Sequence, residues 1–249
     1  MRHALFILLT PILAFGSVAS HADITADLQA AMTAESRSEA EKARDSNRKP
    51  LETLKFFGLK GDMRVLELLP GGGWYSKLLA PVLADKGQLL VAIGTDGVQK
   101  MVTAGQLPKV EVVEVEQTGF ARGPDGRRYA IEGLKLNTSD IDMVLTFRNL
   151  HNFTPESRDA LNREAFRVLK EGGLYGVVDH TRRHMQADNA ENWRRMDPVL
   201  MIKEIEAAGF EFVDFSDLHY RYDDQLVYEV GRRSVSGNTD RFTLLFKKP

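Results

Sequence analysis

The chain has 249 residues, 43% hydrophobic and 27% charged, with a formal net charge of −2. These values suit a globular core of ordinary size and give no electrostatic support to a nucleic-acid or membrane-surface partner. The sequence contains no cysteine, which excludes disulfides, thiol catalysis and thiolate metal sites.

Arg2 and His3 precede an apolar run from Ala4 to Phe15 and the small-residue end Ser20-His21-Ala22. That order is the secretory signal pattern, and the run is too short to cross a bilayer comfortably. Residues 1–22 are expected to be removed on export, leaving a periplasmic or secreted chain without a stable membrane anchor. The rival reading is an uncleaved N-terminal anchor. Residues 23–49 are polar and alanine-rich with a thin apolar stripe, which predicts an exposed or loosely docked helical extension. Pro50 opens a short helix with Leu51, Leu54 and Phe57 at helical spacing, closed by Gly58.

The first strand, 64–68, ends near an acid and runs into Pro70-Gly71-Gly72-Gly73-Trp74-Tyr75-Ser76, followed by an apolar-faced helix. A strand, a glycine turn and a helix in that order present bare backbone N–H groups to a ligand. The second strand, 88–93, is continuously apolar, as strands buried on both faces are. A third strand is expected at 110–115, and a hairpin or loop excursion around Gly123-Pro124-Asp125-Gly126. The fourth strand covers 142–147. Thr154 and Pro155 start a helix expected to stop at Gly172-Gly173, before a fifth strand at 174–178. Asp197-Pro198 starts another helix, ended by Gly209, and strands at 210–215 and 241–247 flank a polar, aromatic insert at 216–240. Strands alternating with helices predict a doubly wound, mostly parallel α/β sheet of seven strands, with one domain over residues 50–249.

In open α/β sheets, ligands sit beyond the carboxyl ends of the strands. That rule selects Glu67, the glycine turn, Trp74 and Tyr75 after the first strand, and Thr95 and Asp96 after the second. It selects Arg148, Asn149, His151 and Asn152 after the fourth strand, and Asp179, His180 and Arg182 after the fifth. His151 and His180, with Asp179 beside the latter in sequence, are the candidate catalytic groups, because imidazole exchanges protons near neutral pH. Neighbours on an extended chain point to opposite faces, so Asp179 and His180 need not act together. His180 and His184 would make a metal pair only on a helix, and without a third ligand no metal site is assigned. Arg148 suits an acidic substrate or a surface ion pair. Trp74 and Tyr75 line a pocket or pack over the turn. Tyr220, Tyr222 and Tyr228 form a lid or simply pack.

The strand-one acid, the glycine turn and helix, the segment Arg167–Leu174 and the closing helix–strand–insert–strand unit resemble class I S-adenosylmethionine-dependent methyltransferases. The segments 70–76, 149–152 and 237–242 further resemble a bacterial group of secreted methyltransferases. The resemblance implies a Rossmann-like fold, S-adenosylmethionine as cofactor and a small-molecule methyl acceptor. It implies that Glu67 orients the methionine end and that Gly71 and Gly73 admit the cofactor to the backbone. The cofactor-binding set is Glu67, Gly71, Gly72, Gly73, Trp74, Tyr75, Asp96, Arg148 and Asn149. Two positions depart from the family pattern: Leu69 replaces the first glycine of the turn, and Gly94 replaces the strand-two acid, for which Asp96 is the substitute or else a helix-cap aspartate. An exported, non-catalytic binding protein on the same scaffold is the alternative function. A nicotinamide oxidoreductase is set aside, because Ser76 stands where the third glycine of its fingerprint belongs.

Overall fold

The computed structural model describes residues 24–107 and 109–249. The proposed signal segment, 1–22, lies outside the described residues. Four short helices come first: α1 (Thr25–Thr33), α2 (Glu39–Lys42), α3 (Asp45–Arg48) and α4 (Pro50–Phe56). The alternating unit follows as β1 (Arg64–Leu68), α5 (Ser76–Leu83), β2 (Gln88–Ala92), α6 (Asp96–Thr103) and β3 (Val110–Val112). A small excursion contains β4 (Val115–Glu116), β5 (Gly119–Arg122), β6 (Tyr129–Glu132) and β7 (Lys135–Leu136). The chain then re-enters the sheet with β8 (Ile141–Phe147), α7 (Pro155–Val168), β9 (Leu169–His180), α8 (Pro198–Ala207), β10 (Glu211–Ser216) and β11 (Arg241–Lys247).

Seven strands form one sheet in the order β10-β11-β9-β8-β1-β2-β3, parallel except at β11, which runs antiparallel to both neighbours. Alternation along each strand sends residues to opposite faces. Leu66, Leu68, Val144 and Val177 pack with α7 and α8, while Val65, Val91, Met143 and Leu145 pack with α1, α4, α5 and α6. Both faces are therefore covered, as the expected doubly wound sheet requires. Glu67 lies between two apolar neighbours in sequence and shares Val65's face, which puts a carboxylate under the N-terminal helices.

Three local expectations change. The third strand is shorter, because the chain leaves β3 after Val112 and Val115 pairs instead with Leu136 of β7. The helix before β9 ends at Val168, and Gly172-Gly173 lies inside β9, where the register against β8 slips between Ile141 and Met143. The N-terminal extension is firmly docked. Leu28 and Ala31 are buried in the α5 side of the core, and Arg37 is buried with its guanidinium bonded to both Asp45 carboxylate oxygens (2.6 and 2.9 Å).

Candidate active site

Three strand ends leave the sheet by the same kink. Leu69 after β1, Ile93 after β2 and Arg148 after β8 have φ of 58°, 63° and 63°. Such left-handed values cost a residue with a Cβ roughly 1–2 kcal/mol each, and strain of this kind collects at functional sites. The Leu69 and Arg148 N–H groups donate to the Ala92 and Val178 carbonyls of adjacent strands (2.9 and 2.6 Å), so the sheet ladder holds two of the kinks. Leu69 therefore keeps the backbone shape that a glycine would adopt without strain.

A cavity of about 410 Å³ opens where β1 and β8 end, walled by Glu67, Pro70–Gly72, Trp74, Tyr75, Phe147–Asn149 and, from the extension, Glu41, Arg44 and Arg48. A Cβ at Gly71 or Gly72 would meet nothing within 4 Å, so this part of the turn offers bare backbone to the cavity. Gly73 does something else. A Cβ there would fall 2.4 Å from the Met101 side chain and 3.1 Å from that of Val98, so Gly73 serves the packing of α6 against the turn and is absent from the cavity wall. The Glu67 carboxyl is 3% exposed and accepts a 2.6 Å bond from the Ser76 hydroxyl. Burial pushes it up to about 7, against the opposing pull of Ser76 and Arg48.

Trp74 and Tyr75 both line the cavity and pack, which resolves their two readings into one arrangement. The Trp74 ring has the Arg37 and Arg48 guanidiniums 4.9 and 4.2 Å from its centroid, and its indole N–H donates to the Glu41 carbonyl (3.0 Å). Tyr75 stacks on Phe147 with centroids 3.5 Å apart. The Asn149 amide donates to the Leu69 and Phe147 carbonyls (3.0 and 3.2 Å), clipping the ends of β1 and β8 together.

A second cavity of about 410 Å³ lies across Leu69, lined by Ile93–Asp96, Val113, Val115, Gln117 and Phe120. Asp96 belongs to this apolar chamber and not to the one around Glu67. It is exposed in the first turn of α6, and no side-chain bond caps that helix.

The candidate catalytic residues meet at the ends of β8 and β9, outside the wall of the Glu67 cavity. His151 Nδ1 lies 2.5 Å from Asp179 Oδ1, and Asp179 also accepts from the backbone N–H groups of His151 (3.2 Å) and His180 (2.7 Å). An acceptor at Nδ1 places the ring proton there and leaves His151 Nε2 with a free lone pair. Asp179 thus partners a histidine 28 residues away, through its side chain, more closely than the one beside it in sequence. The His180 ring centroid is 5.4 Å from that of His151, and its Nδ1 faces the Thr239 hydroxyl at 2.8 Å. Burial, helped by His151, Arg241 and Arg148, holds His180 well below the usual imidazole range.

Ligand atoms of His151, Asp179 and His180 fall within 4.8 Å of one another, a composition that also suits a cation. The carboxylate is already committed to three N–H groups, and the cations that depress His180 oppose a further positive charge. The His180–His184 pairing does not form: His184 is exposed on a loop and its Nδ1 faces Asp197 at 2.9 Å. Tyr220 and Tyr222 are exposed and take no part in the Glu67 cavity.

Residues 66–177 match the family model described as a methyltransferase domain. The match begins within β1, includes the glycine turn and His151, and ends three residues short of the end of β9. An S-adenosylmethionine-dependent methyltransferase from Aquifex aeolicus is similar to the whole fold, with 18% identity, a TM-score of 0.58, and 83% of this chain and 93% of that chain covered. The 4+2 cyclase SpnF is similar at 17% identity and a TM-score of 0.57, covering 91% of this chain and 93% of that one. An S-adenosylmethionine-dependent methyltransferase from Clostridium acetobutylicum is similar at 12% identity and a TM-score of 0.50, covering 82% of this chain and 91% of its own. Among curated proteins there is no match. Identities this low establish the Rossmann-like methyltransferase fold, and a cyclase among the neighbours shows that the fold alone does not fix the reaction. The match over residues 66–177 supports methyl transfer in general, with S-adenosylmethionine as cofactor.

Around the site, the sequence did not single out Glu41, Arg44 and Arg48 of the extension, or Thr239 and His219 of the insert side. One available signal was Trp74, a large ring directly after a glycine turn that needs a cover from elsewhere in the chain. His219 shows how the cover is fastened. Its two ring nitrogens lie 2.6 Å from the Thr243 hydroxyl and 2.9 Å from the Arg48 carbonyl.

Burial lowers His219 to about 4, so the folded state holds it neutral. Its contribution to stability is fully present above the unfolded value near 6.5 and is lost as pH falls from there through about 4. The expected loss across that window is about 3 kcal/mol. Urea unfolding between those pH values should give a steep acid limb, and His219→Gln should flatten it; an unchanged limb would mean that His219 is not the group responsible.

Proposed function

We propose that this protein transfers a methyl group from S-adenosylmethionine to a small-molecule acceptor seated at the ends of β8 and β9, with His151 as the base that accepts the acceptor's proton. The observation that carries the reading is the juxtaposition of a cofactor-type turn, Glu67 and open Gly71-Gly72 backbone, with an Asp179-oriented imidazole beyond the end of β8, the neighbouring strand of the sheet.

The residues fit the cofactor at both ends. One Glu67 oxygen is held by Ser76, and the other has no protein hydrogen bond among the described residues, which suits an ammonium group. The apolar chamber beyond Leu69 suits a flat base and a ribose, with Asp96 the acid near enough to take the hydroxyls. When bound, the cofactor supplies an activated methyl group on a sulfonium, and displacement there depends chiefly on alignment. Arg148 and Asn149 border that path. Asp179 fixes the His151 tautomer so that Nε2 takes the acceptor's proton.

Titration calorimetry with S-adenosylmethionine and S-adenosylhomocysteine tests the reading. Saturable binding is expected, weakened by Glu67→Ala and Gly71→Val without loss of the folded circular-dichroism spectrum. Absence of heat beyond dilution at millimolar ligand would sink it. Because Glu67 titrates near 7 in the free protein, capture of an ammonium there should release a fraction of a proton at neutral pH. Repeating the titration in buffers of different ionisation enthalpy reads that proton, and Glu67→Gln should abolish it.

Export rests on residues 1–22 alone. Cell fractionation should find the shortened chain outside the cytoplasm, and recovery of the full-length chain from the cytoplasm would refute it.

A further inference from the structure

The Glu67 cavity carries more positive charge than its own carboxylates offset. Arg44, Arg48 and Arg148 line it, and among the described residues none of the three guanidiniums meets a hydrogen-bond acceptor or a carboxylate. Arg48 is 5% exposed, and its guanidinium touches protein chiefly through the faces of Trp74 and Tyr75, at 4.2 and 5.8 Å. The two acids on the wall do not answer it. Glu41 is taken by Lys77 at 2.9 Å, and burial pushes Glu67 up to about 7, which weakens it as a counter-charge. Other buried arginines have partners: Arg37 pairs with Asp45, Arg158 with Glu204 and Arg195 with Asp224, and Arg241 donates to the Asn47 and Gly237 carbonyls. A buried charge without a hydrogen-bond partner is costly, and Arg48 carries one facing an open chamber.

We infer that Arg48 and Arg148, with Arg44 at the rim, form an oxyanion site for an acidic group on the methyl acceptor. This rests on the methyltransferase reading above. The geometry suits it, since planar guanidiniums present paired N–H groups to a carboxylate. Charge balance separates the acceptor from the cofactor as source of that anion. The cofactor bears a sulfonium and an ammonium against a single carboxylate, and so brings net positive charge to a wall of three cations. An acidic acceptor removes the excess, so the two ligands should bind synergistically. Burial and the like charges of Arg148 and Arg44 pull Arg48 down, but guanidinium keeps its proton in proteins, so relief must come from an anion.

Sodium benzoate, with neutral benzamide as its uncharged counterpart, provides the probe, titrated calorimetrically into the full chain at fixed ionic strength. Benzoate should bind saturably and benzamide should not. Arg48→Gln and Arg148→Gln should each weaken benzoate at least tenfold, while the exposed Arg163→Gln on α7 leaves it unchanged. Arg148 is the second variant because Arg48 also supports Trp74, and circular dichroism checks both folds. Saturating benzoate should tighten S-adenosylmethionine severalfold. Competition between benzoate and S-adenosylhomocysteine would overturn the proposal by assigning the arginines to the cofactor's own carboxylate, and so would equal binding of benzoate and benzamide. If benzoate binds as expected while neither cofactor form binds in its presence or absence, the methyltransferase reading fails and the anion site stands alone.

Discussion

Replacing Asp224 by alanine is expected to lower the unfolding free energy by about 3–5 kcal/mol, the cost typical of stranding one partner of a buried ion pair. The Arg195 and Asp224 side chains are 0% and 1% exposed, and two guanidinium nitrogens meet the two carboxylate oxygens at 2.9 and 3.0 Å. Asp224 also accepts from the Asp240 and Leu226 N–H groups, and Arg195 donates to the Thr181 and Tyr228 carbonyls. The pair therefore joins three stretches of chain: the exit of β9, the insert, and the approach to β11. Thr239, which faces His180, sits in that last stretch. Urea denaturation reads the loss, and amide exchange should show Thr181 and Asp240 opening first. A loss below about 1 kcal/mol, the range of exposed pairs, would mean that Arg195 finds another partner.

Gly97→Ala should remove cofactor binding while leaving most of the fold intact. The added Cβ would lie 2.4 Å from the Gly71 carbonyl oxygen and 3.2 Å from Gly72 Cα, both backbone atoms with no rotamer to yield. Helix α6 cannot simply back away, because Val98 and Met101 close over Gly73 from the same side. The turn must shift instead, and with it the stretch of backbone left open for a ligand. Overpacking of this kind costs about 1–3 kcal/mol of stability, and the affinity for S-adenosylhomocysteine should fall at least tenfold by calorimetry. Gly105→Ala, where a Cβ meets nothing within 4 Å, is the contrast; its φ of 70° makes it a strain control without a clash at the turn. Equal binding by wild type and Gly97→Ala would show that the turn is pliant.

Much of this was legible in the sequence for physical reasons. Helix and strand periods, Thr154 and Asp197 as caps and the glycine turn are local signals, and the cap side chains do accept from Ser157 and Val199 N–H groups. What was not legible depended on partners far away. The extension looked loosely attached because its apolar stripe is thin; it docks through a few residues, Ile24, Leu28 and Ala31, in the α5 side of the core and through Arg37 and Arg48 on the Trp74 face, which no long hydrophobic period announces. Gly71 and Gly73 are alike in sequence and in positive φ, yet one faces a chamber and the other a methionine. Adjacency suggested Asp179 with His180, whereas the side-chain bond reaches across two strand ends to His151. Of the two departures, Leu69 holds the glycine-like backbone, and Asp96, the first residue of α6 beyond Gly94, lines a chamber separate from the Glu67 cavity.

The fastening of Arg48 to His219 has a consequence for how the molecule assembles. That contact spans 171 residues, and the bond from Arg241 to the Asn47 carbonyl spans 194. One wall of the arginine chamber is thus closed by the beginning and the end of the chain meeting each other. Contacts so distant in sequence are slow to form, since loop closure precedes any reward. During synthesis the early helices must wait for β11, the last strand to appear, before the chamber exists. Ligand-binding competence is therefore expected to lag behind secondary structure in refolding, and to vanish in chains cut before Arg241.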